Sequence, residues 1–322
     1  TTALAALLLL AGLPLPASAQ LPVTELTTLY PPGGKQGATV EVTAGGANLE
    51  DAAELVFSDP GITAAVKQTP PTEFTKTPKT PYGGFDVKIG SGVAPGVYEA
   101  RVVGRFGASA PRSFVVGALD EIVDDGSNKT FAGAKSVNVN TTVNGRTDAS
   151  AVDYYQIPLK QGQRVIINCW ARRIDSRLDA AMVLYDSQQK ELARSREYAR
   201  NDPLLDFTAP LDGEYTLALY DFVYSGGADY FYRLDIHDQP YVDFVFPPAA
   251  AAGKQGEFTV YGRNLPGGEA TQLSVNGATL QKKTVAIAAP ADPTRRHDVG
   301  DYLATNGIGV DGFSYQADGS NS

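Results

Sequence analysis

Short segments of alternating apolar and polar residues dominate the chain. Phe85-Asp86-Val87-Lys88-Ile89 alternates strictly, and Val97 to Val103 alternates again. Thr39 to Thr43 does the same, with apolar pieces at Ala53 to Phe57 and Ser113 to Val116. A period of two puts every second side chain on one face, which predicts short half-buried strands, and Gly, Pro and Asn clusters between them predict turns. Further on, Tyr215, Leu217 and Leu219 fall on one face of a strand, and Tyr230, Tyr232, Leu234 and Ile236 on one face of the next. The intervening Val223 to Asp229, with Gly226-Gly227, predicts a hairpin loop. The segment Lys67 to Tyr82, dense in Thr, Pro and Lys, predicts a long exposed loop.

A repeat organises these segments. Tyr30-Pro31-Pro32-Gly33-Gly34-Lys35-Gln36-Gly37 is echoed by Phe246-Pro247-Pro248 and Gly253-Lys254-Gln255-Gly256, and Ala47-Asn48-Leu49 by Arg263-Asn264-Leu265. Two related units therefore flank a different one. The first unit, 24–117, has the strand spacing of an Ig-like sandwich. Its opening Tyr-Pro-Pro-Gly-Gly and closing Gly-Val-Tyr-Glu-Ala-Arg-Val-Val resemble Ig-like domains of the IPT/TIG type found in bacterial surface proteins.

The middle unit, 119–238, carries a second resemblance. In order along it stand Gly145-Arg146-Thr147-Asp148, Val152-Asp153-Tyr154-Tyr155, Lys160-Gln161-Gly162-Gln163, Leu184-Tyr185-Asp186, Asp212-Gly213-Glu214-Tyr215 and Tyr232-Arg233-Leu234-Asp235-Ile236. That succession resembles the bacterial pre-peptidase C-terminal domain. The resemblance implies a jelly-roll-like sandwich and an accessory role in export, surface presentation or substrate attachment. One departure is that the family's acidic Glu-Pro-Asn-Asn opening is here Asp124-Asp125-Gly126-Ser127-Asn128. The expected fold class is all-β, a tandem of Ig-like, pre-peptidase C-terminal-like and second Ig-like sandwiches. The last, 241–322, is expected to be incomplete because it lacks a counterpart of the first unit's closing strands.

Composition narrows the function. The 322 residues carry 27 Lys and Arg against 36 Asp and Glu, a net charge of −9, which argues against a nucleic-acid partner, since such a partner calls for a basic face. One Cys allows neither an intramolecular disulfide nor a Cys-rich zinc site, and two His, His237 and His297, leave little for metal or triad chemistry. Ala3 to Leu15, followed by Pro16-Ala17-Ser18-Ala19, has the apolar run and small-residue cleavage site of a secretory leader, 1–19. It is too short and too broken by proline to span a bilayer. Met182 is the lone Met, so residue 1 is not expected to be a translation start.

Two groups of residues are candidates for chemistry. Tyr220, Phe222, Tyr224 and Phe231 surround the loop that closes the middle unit; exposed in one patch, they would stack on sugar rings or grip a polypeptide. The alternative is that a neighbouring domain covers them. Asp120, Glu121, Asp124, Asp125 and Asn128 form an acidic cluster of the hard oxygens calcium prefers. The family resemblance implies Asp125 and Asn128 as calcium ligands, with Asp153 as a further one; the alternative is a solvated acidic linker. Cys169 is expected to be a buried, inert thiol, and Arg172 to Asp179 to form surface ion pairs.

The resulting expectation is an exported, non-catalytic module with no cofactor other than calcium. Its partner would be an extracellular or periplasmic protein or glycan, with no nucleic acid and no membrane span. The alternative is the non-catalytic part of a secreted protease or other hydrolase whose catalytic domain lies beyond the chain.

Overall fold

The computed structural model describes residues 22–49, 52–68, 73, 83–198, 201–248, 251, 253–275 and 277–288, and the short strand segments 296–297 and 315–316. The leader, nearly all of Lys67 to Tyr82 and most of the chain after 288 lie outside these residues.

Each of the five segments expected in the first unit forms a strand, and four further strands accompany them among the described residues. In the first unit they are β1 (Glu25–Tyr30), β2 (Gly33–Lys35), β3 (Thr39–Ala47), β4 (Glu54–Phe57), β5 (Ile62–Val66), β6 (Gly84–Ile89), β7 (Gly96–Gly104), β8 (Gly107–Ala108) and β9 (Arg112–Gly117). They build two sheets, β1-β3-β6-β5 and β2-β9-β7-β4, with β8 paired to β7. Leu29, Val42, Phe85, Val87, Val102 and Phe114 fill the space between the sheets. These are the apolar members of the period-two pattern, so the strand faces follow directly from sequence.

The middle unit adds β10 (Asp120–Val123), β11 (Lys135–Ser136), β12 (Thr141–Arg146), β13 (Asp153–Leu159), β14 (Arg164–Trp170), β15 (Ala180–Tyr185), β16 (Glu191–Ser195), β17 (Leu204–Thr208), β18 (Gly213–Asp221) and β19 (Phe231–His237). One sheet runs β11-β13-β18-β15-β16 and the other β10-β12-β19-β14-β17. Tyr155, Ile157, Met182, Leu184, Leu217 and Leu219 of the first sheet meet Val143, Val165, Ile167, Cys169, Leu234 and Ile236 of the second in one core. Because β18 and β19 lie in opposite sheets, each as the central strand, the segment between them is an arch across one end of the sandwich and not the expected hairpin. Period two identifies strand faces but carries no information on which sheet a strand joins.

The repeated segment returns in β20 (Tyr241–Phe246), β21 (Gln255–Arg263), β22 (Glu269–Val275) and β23 (Ala278–Ala288), ordered β20-β21-β23-β22. The two copies share details beyond strand order. Tyr30–Pro31 and Phe246–Pro247 are both cis, and Asn48 and Asn264 both take a left-handed φ of 55°. Register shifts at Leu26/Thr28 in the first copy and at Val242/Phe244 in the second. A tandem β-sandwich protein is therefore the class that this fold defines.

Candidate functional site

The two sheets of the middle sandwich differ in what covers their outer faces. On the β12-β19-β14 side, every residue of β19 is buried. Phe231 packs with Trp170, Ile174, Val115 and Tyr30, the last two supplied by the first sandwich. Arg233, buried beside them, donates to Glu121 at 2.7 and 3.0 Å and to Asn144 Oδ1 at 3.0 Å. Tyr30 donates to the Asn144 carbonyl at 3.0 Å, and the Arg146 guanidinium lies 3.6 Å from the centre of the Tyr30 ring. Trp170 Nε1 donates to Asp235 at 2.8 Å. Of the four aromatics singled out from sequence, Phe231 is thus a correction: it is 2% exposed because the first sandwich docks on it.

The outer face of β13-β18-β15 is different. Tyr154, Tyr220 and Tyr185 alternate outward from these three neighbouring strands, on the face that also holds the buried Ala181, Val183 and Ala218 in register with them. Tyr220 stacks on Tyr224 with ring centres 5.2 Å apart and an interplanar angle of 13°. Phe131, presented by the short helical turn Phe131–Gly133, meets Tyr154 at 5.8 Å and Tyr185 at 5.9 Å, both edge-on. Thr130 caps that turn, accepting from the Gly133 amide at 3.1 Å. At the far end Phe222 and Tyr224 are each 48% exposed and Val223 70%. The Asp221 carboxylate fixes this loop, accepting from the amides of Val223, Ser225 and Asp179 at 3.1, 2.8 and 3.0 Å. Arg196 lies 3.4 Å above the Phe222 ring.

Tyr220, Phe222 and Tyr224 therefore come together, and Phe131, Tyr154 and Tyr185 join them unanticipated. The outward positions of Tyr154 and Tyr185 follow from strand period. Their convergence depends on β13, β18 and β15 being neighbours, which the sequence does not state. Burial raises the Tyr220 and Tyr185 phenols above their ordinary pKa, with Tyr224 the next influence on Tyr220 and Glu191 on Tyr185, so both remain protonated donors at neutral pH.

The acidic candidates divide. Asp125 stays at the surface, where the Ser127 hydroxyl and amide at 2.6 and 3.0 Å, and then Lys135, lower its pKa to about 2. Asp124, Asn128 and Asp153 are buried. Asp153 accepts from Tyr232 at 2.6 Å and from the Lys129 ammonium, which also reaches Asp148 at 3.1 Å. Burial raises the Asp153 pKa against the pull of Lys129 and Tyr232. Neither oxygen of Asp124 nor Oδ1 of Asn128 has a hydrogen-bond partner, although the Lys135 ammonium stands 3.6 Å from Asp124. Calcium asks for six to eight oxygens. With both Asp153 oxygens engaged and Asp125 turned away, these residues do not fit a calcium cage: lysine ammonium groups already stand beside Asp124, Asp125 and Asp153. Among the described residues no group of three or more His, Cys, Asp or Glu side chains gathers to hold a metal.

Two further expectations meet the structure. Cys169 is fully buried, and desolvation pushes its thiol well above the ordinary range. Arg173, expected in a surface ion pair, instead binds the buried Asp202 at 2.9 Å and stacks on Trp170 at 4.0 Å. Asp202 also accepts from the amides of Ala171, Arg172 and Arg173, so a carboxylate thirty residues downstream anchors the turn.

No family model matches the chain. No curated protein matches it either. Among solved structures the chain is similar to the pre-peptidase C-terminal domain of a collagenase from Bacillus anthracis, at 21% identity over 32% of this chain and 93% of that one, with a TM-score of 0.27. It is also similar to PliG of Aeromonas hydrophila, a periplasmic inhibitor of g-type lysozyme, at 14% identity over 37% of this chain and 96% of that one, TM-score 0.24. A third is SGBP-B of the Bacteroides ovatus mixed-linkage glucan utilization locus, at 13% identity over 84% of this chain and 46% of that one, TM-score 0.21. At such scores these likenesses assign no role to any residue. No helix among the described residues is long and apolar enough to cross a membrane.

Proposed function

We propose that the chain is an exported, non-catalytic binding module that attaches a larger protein, or the surface it decorates, to an extracellular or periplasmic ligand. In this reading 1–19 is a leader, 24–117 and the segment from 241 are Ig-like sandwiches, and 119–238 is a pre-peptidase C-terminal-like sandwich that carries the binding face. The observation that supports it is the half-buried aromatic face of β13-β18-β15, ending in exposed Phe222, Val223 and Tyr224. Clustered exposed aromatics are rare on a surface without a binding role, because a large apolar patch left in water costs free energy that a bound partner recovers.

The test is adsorption of the purified full chain to envelope and secreted material of the cells that produce it. Tyr220→Ala combined with Tyr224→Ala is expected to weaken adsorption about tenfold or more, the equivalent of ~1.4 kcal/mol. Leu211→Ala, at another exposed apolar position, serves as the control. Undiminished adsorption by the double variant overturns this role for the face.

A further inference from the structure

We infer that the ligand of the aromatic face is an uncharged polysaccharide, gripped through the apolar faces of successive pyranose rings. The inference rests on the reading of that face as a binding surface and adds the chemistry of what binds there.

Three features favour this class. First, the rings stand over β13, β18 and β15, each hydrogen-bonded to a neighbouring strand on both sides. An extended polypeptide gains affinity by adding a strand at an open sheet edge. Over the middle of a sheet the main chain has little left to offer, so recognition falls to side chains.

Second, the charges around the rings are matched. Arg194 forms a two-pronged ion pair with Glu191 at 2.5 Å, and Arg196 binds Asp179 at 2.8 Å with Glu197 at 3.7 Å. Two guanidinium groups facing three carboxylates leave no cationic surplus for a phosphate, sulfate or uronate.

Third, what remains is ring faces and phenol hydroxyls. The Tyr154, Tyr185 and Tyr220 phenols are near enough to influence one another, together with Glu191 and Arg194. A phenol both donates and accepts, as a sugar hydroxyl does. A pyranose offers a flat C–H face to an aromatic ring and a rim of hydroxyls to the groups beside it, so both halves of the sugar find a counterpart. Three strands spaced ~4.8 Å apart, extended by the Phe222–Tyr224 loop, make a surface longer than one sugar, which selects a polymer.

The experiment extends the adsorption assay. The envelope and secreted material is divided and treated with periodate, which cleaves vicinal diols, or with a broad protease. In parallel, the full chain is run through native gels containing neutral glucan, mannan or xylan, or anionic alginate.

The expected result is adsorption abolished by periodate and spared by protease, with at least one neutral polymer retarding the chain. Tyr220→Ala and Tyr224→Ala should each weaken that retardation by about threefold or more while far-UV circular dichroism shows the fold intact. Adsorption abolished by protease and spared by periodate, or retardation by alginate alone, overturns the sugar assignment and leaves the binding face standing. Adsorption that the double variant retains in full, or no adsorption at all, removes both.

Discussion

Lys129 shows how one side chain alters the chemistry that a motif suggests. The acidic cluster resembles a calcium element by composition, but the Lys129 ammonium reaches both Asp148 and Asp153, the latter 1% exposed. Lys129→Met would strand a buried carboxylate, and urea denaturation is expected to show a loss of about 2–4 kcal/mol. Excess EDTA should leave the melting temperature of the native chain unchanged. A drop of several degrees would mean that Asp124 and Asn128, whose oxygens lack partners, hold an ion. His237 gives a second expectation. Burial depresses its pKa below 6.5, against the opposing pull of Asp235, and its Nδ1 has no partner. A depressed histidine pKa means that the unfolded chain binds the proton first, so stability is full above pH 6.5 and declines as pH falls toward the folded pKa. Melting curves from pH 7.5 to 5 should show that decline, and His237→Phe should flatten it. The sequence showed which residues were acidic or aromatic; it did not show which would find a counter-charge or a cover, because those partners lie far along the chain.

At the level of elements, alternation was enough to find five of the nine described strands of the first sandwich, β3, β4, β6, β7 and β9, and the inward residues of β18 and β19, but it missed β1, β2, β5 and β8. It failed where both faces of a strand are covered. In β19 the inward Tyr232, Leu234 and Ile236 obey the pattern, whereas Phe231, Arg233 and Asp235 are buried on the other face by polar and interdomain contacts. Polar residues at those positions look solvent-facing in sequence although each has a buried partner. The same dense packing explains a glycine in β2. A Cβ on Gly33 would stand 2.1 Å from the Val115 carbonyl oxygen and 2.7 Å from Arg233 Nη1, so only glycine lets β2 lie between β9 and the middle sandwich. Gly33→Ala must push one of them aside, and chemical denaturation should show a loss of about 1–3 kcal/mol. In β21, Arg263 sits between two buried carboxylates, Asp206 at 3.0 Å and Asp243 at 3.3 Å. Arg263→Met would leave both with reduced compensation and is expected to cost ~3–5 kcal/mol, more than the glycine change, because desolvated charge outweighs a local clash.

For the whole molecule, the shared burial of Tyr30, Val115, Trp170, Ile174 and Phe231 implies that the first and middle sandwiches are energetically coupled. Lys35 to Asp120 at 2.6 Å and the Ser113 amide to Asp175 at 2.8 Å add polar contacts around that cluster. The pairings across it are of the kind that hold docked domains and not freely jointed ones. Their repeat-derived side, Tyr30 and the strand after it, is visible in sequence only as a motif; what it docks on is not. The chain's one Trp, Trp170, lies within this cluster, 6% exposed, under the Arg173 guanidinium and bonded to Asp235. It therefore reports on docking without any label. In the native chain its emission should be that of a buried indole, and calorimetry should show the two sandwiches unfolding in one transition. Gly33→Glu, which forces a charged side chain into the same contact, should expose the indole, shift its emission to the red and split the transition in two. If the emission and the single transition both survive that change, the sandwiches are not held together by this cluster. If the emission shifts while one transition remains, the middle sandwich depends on its neighbour to fold, and the coupling is stronger than docking alone requires.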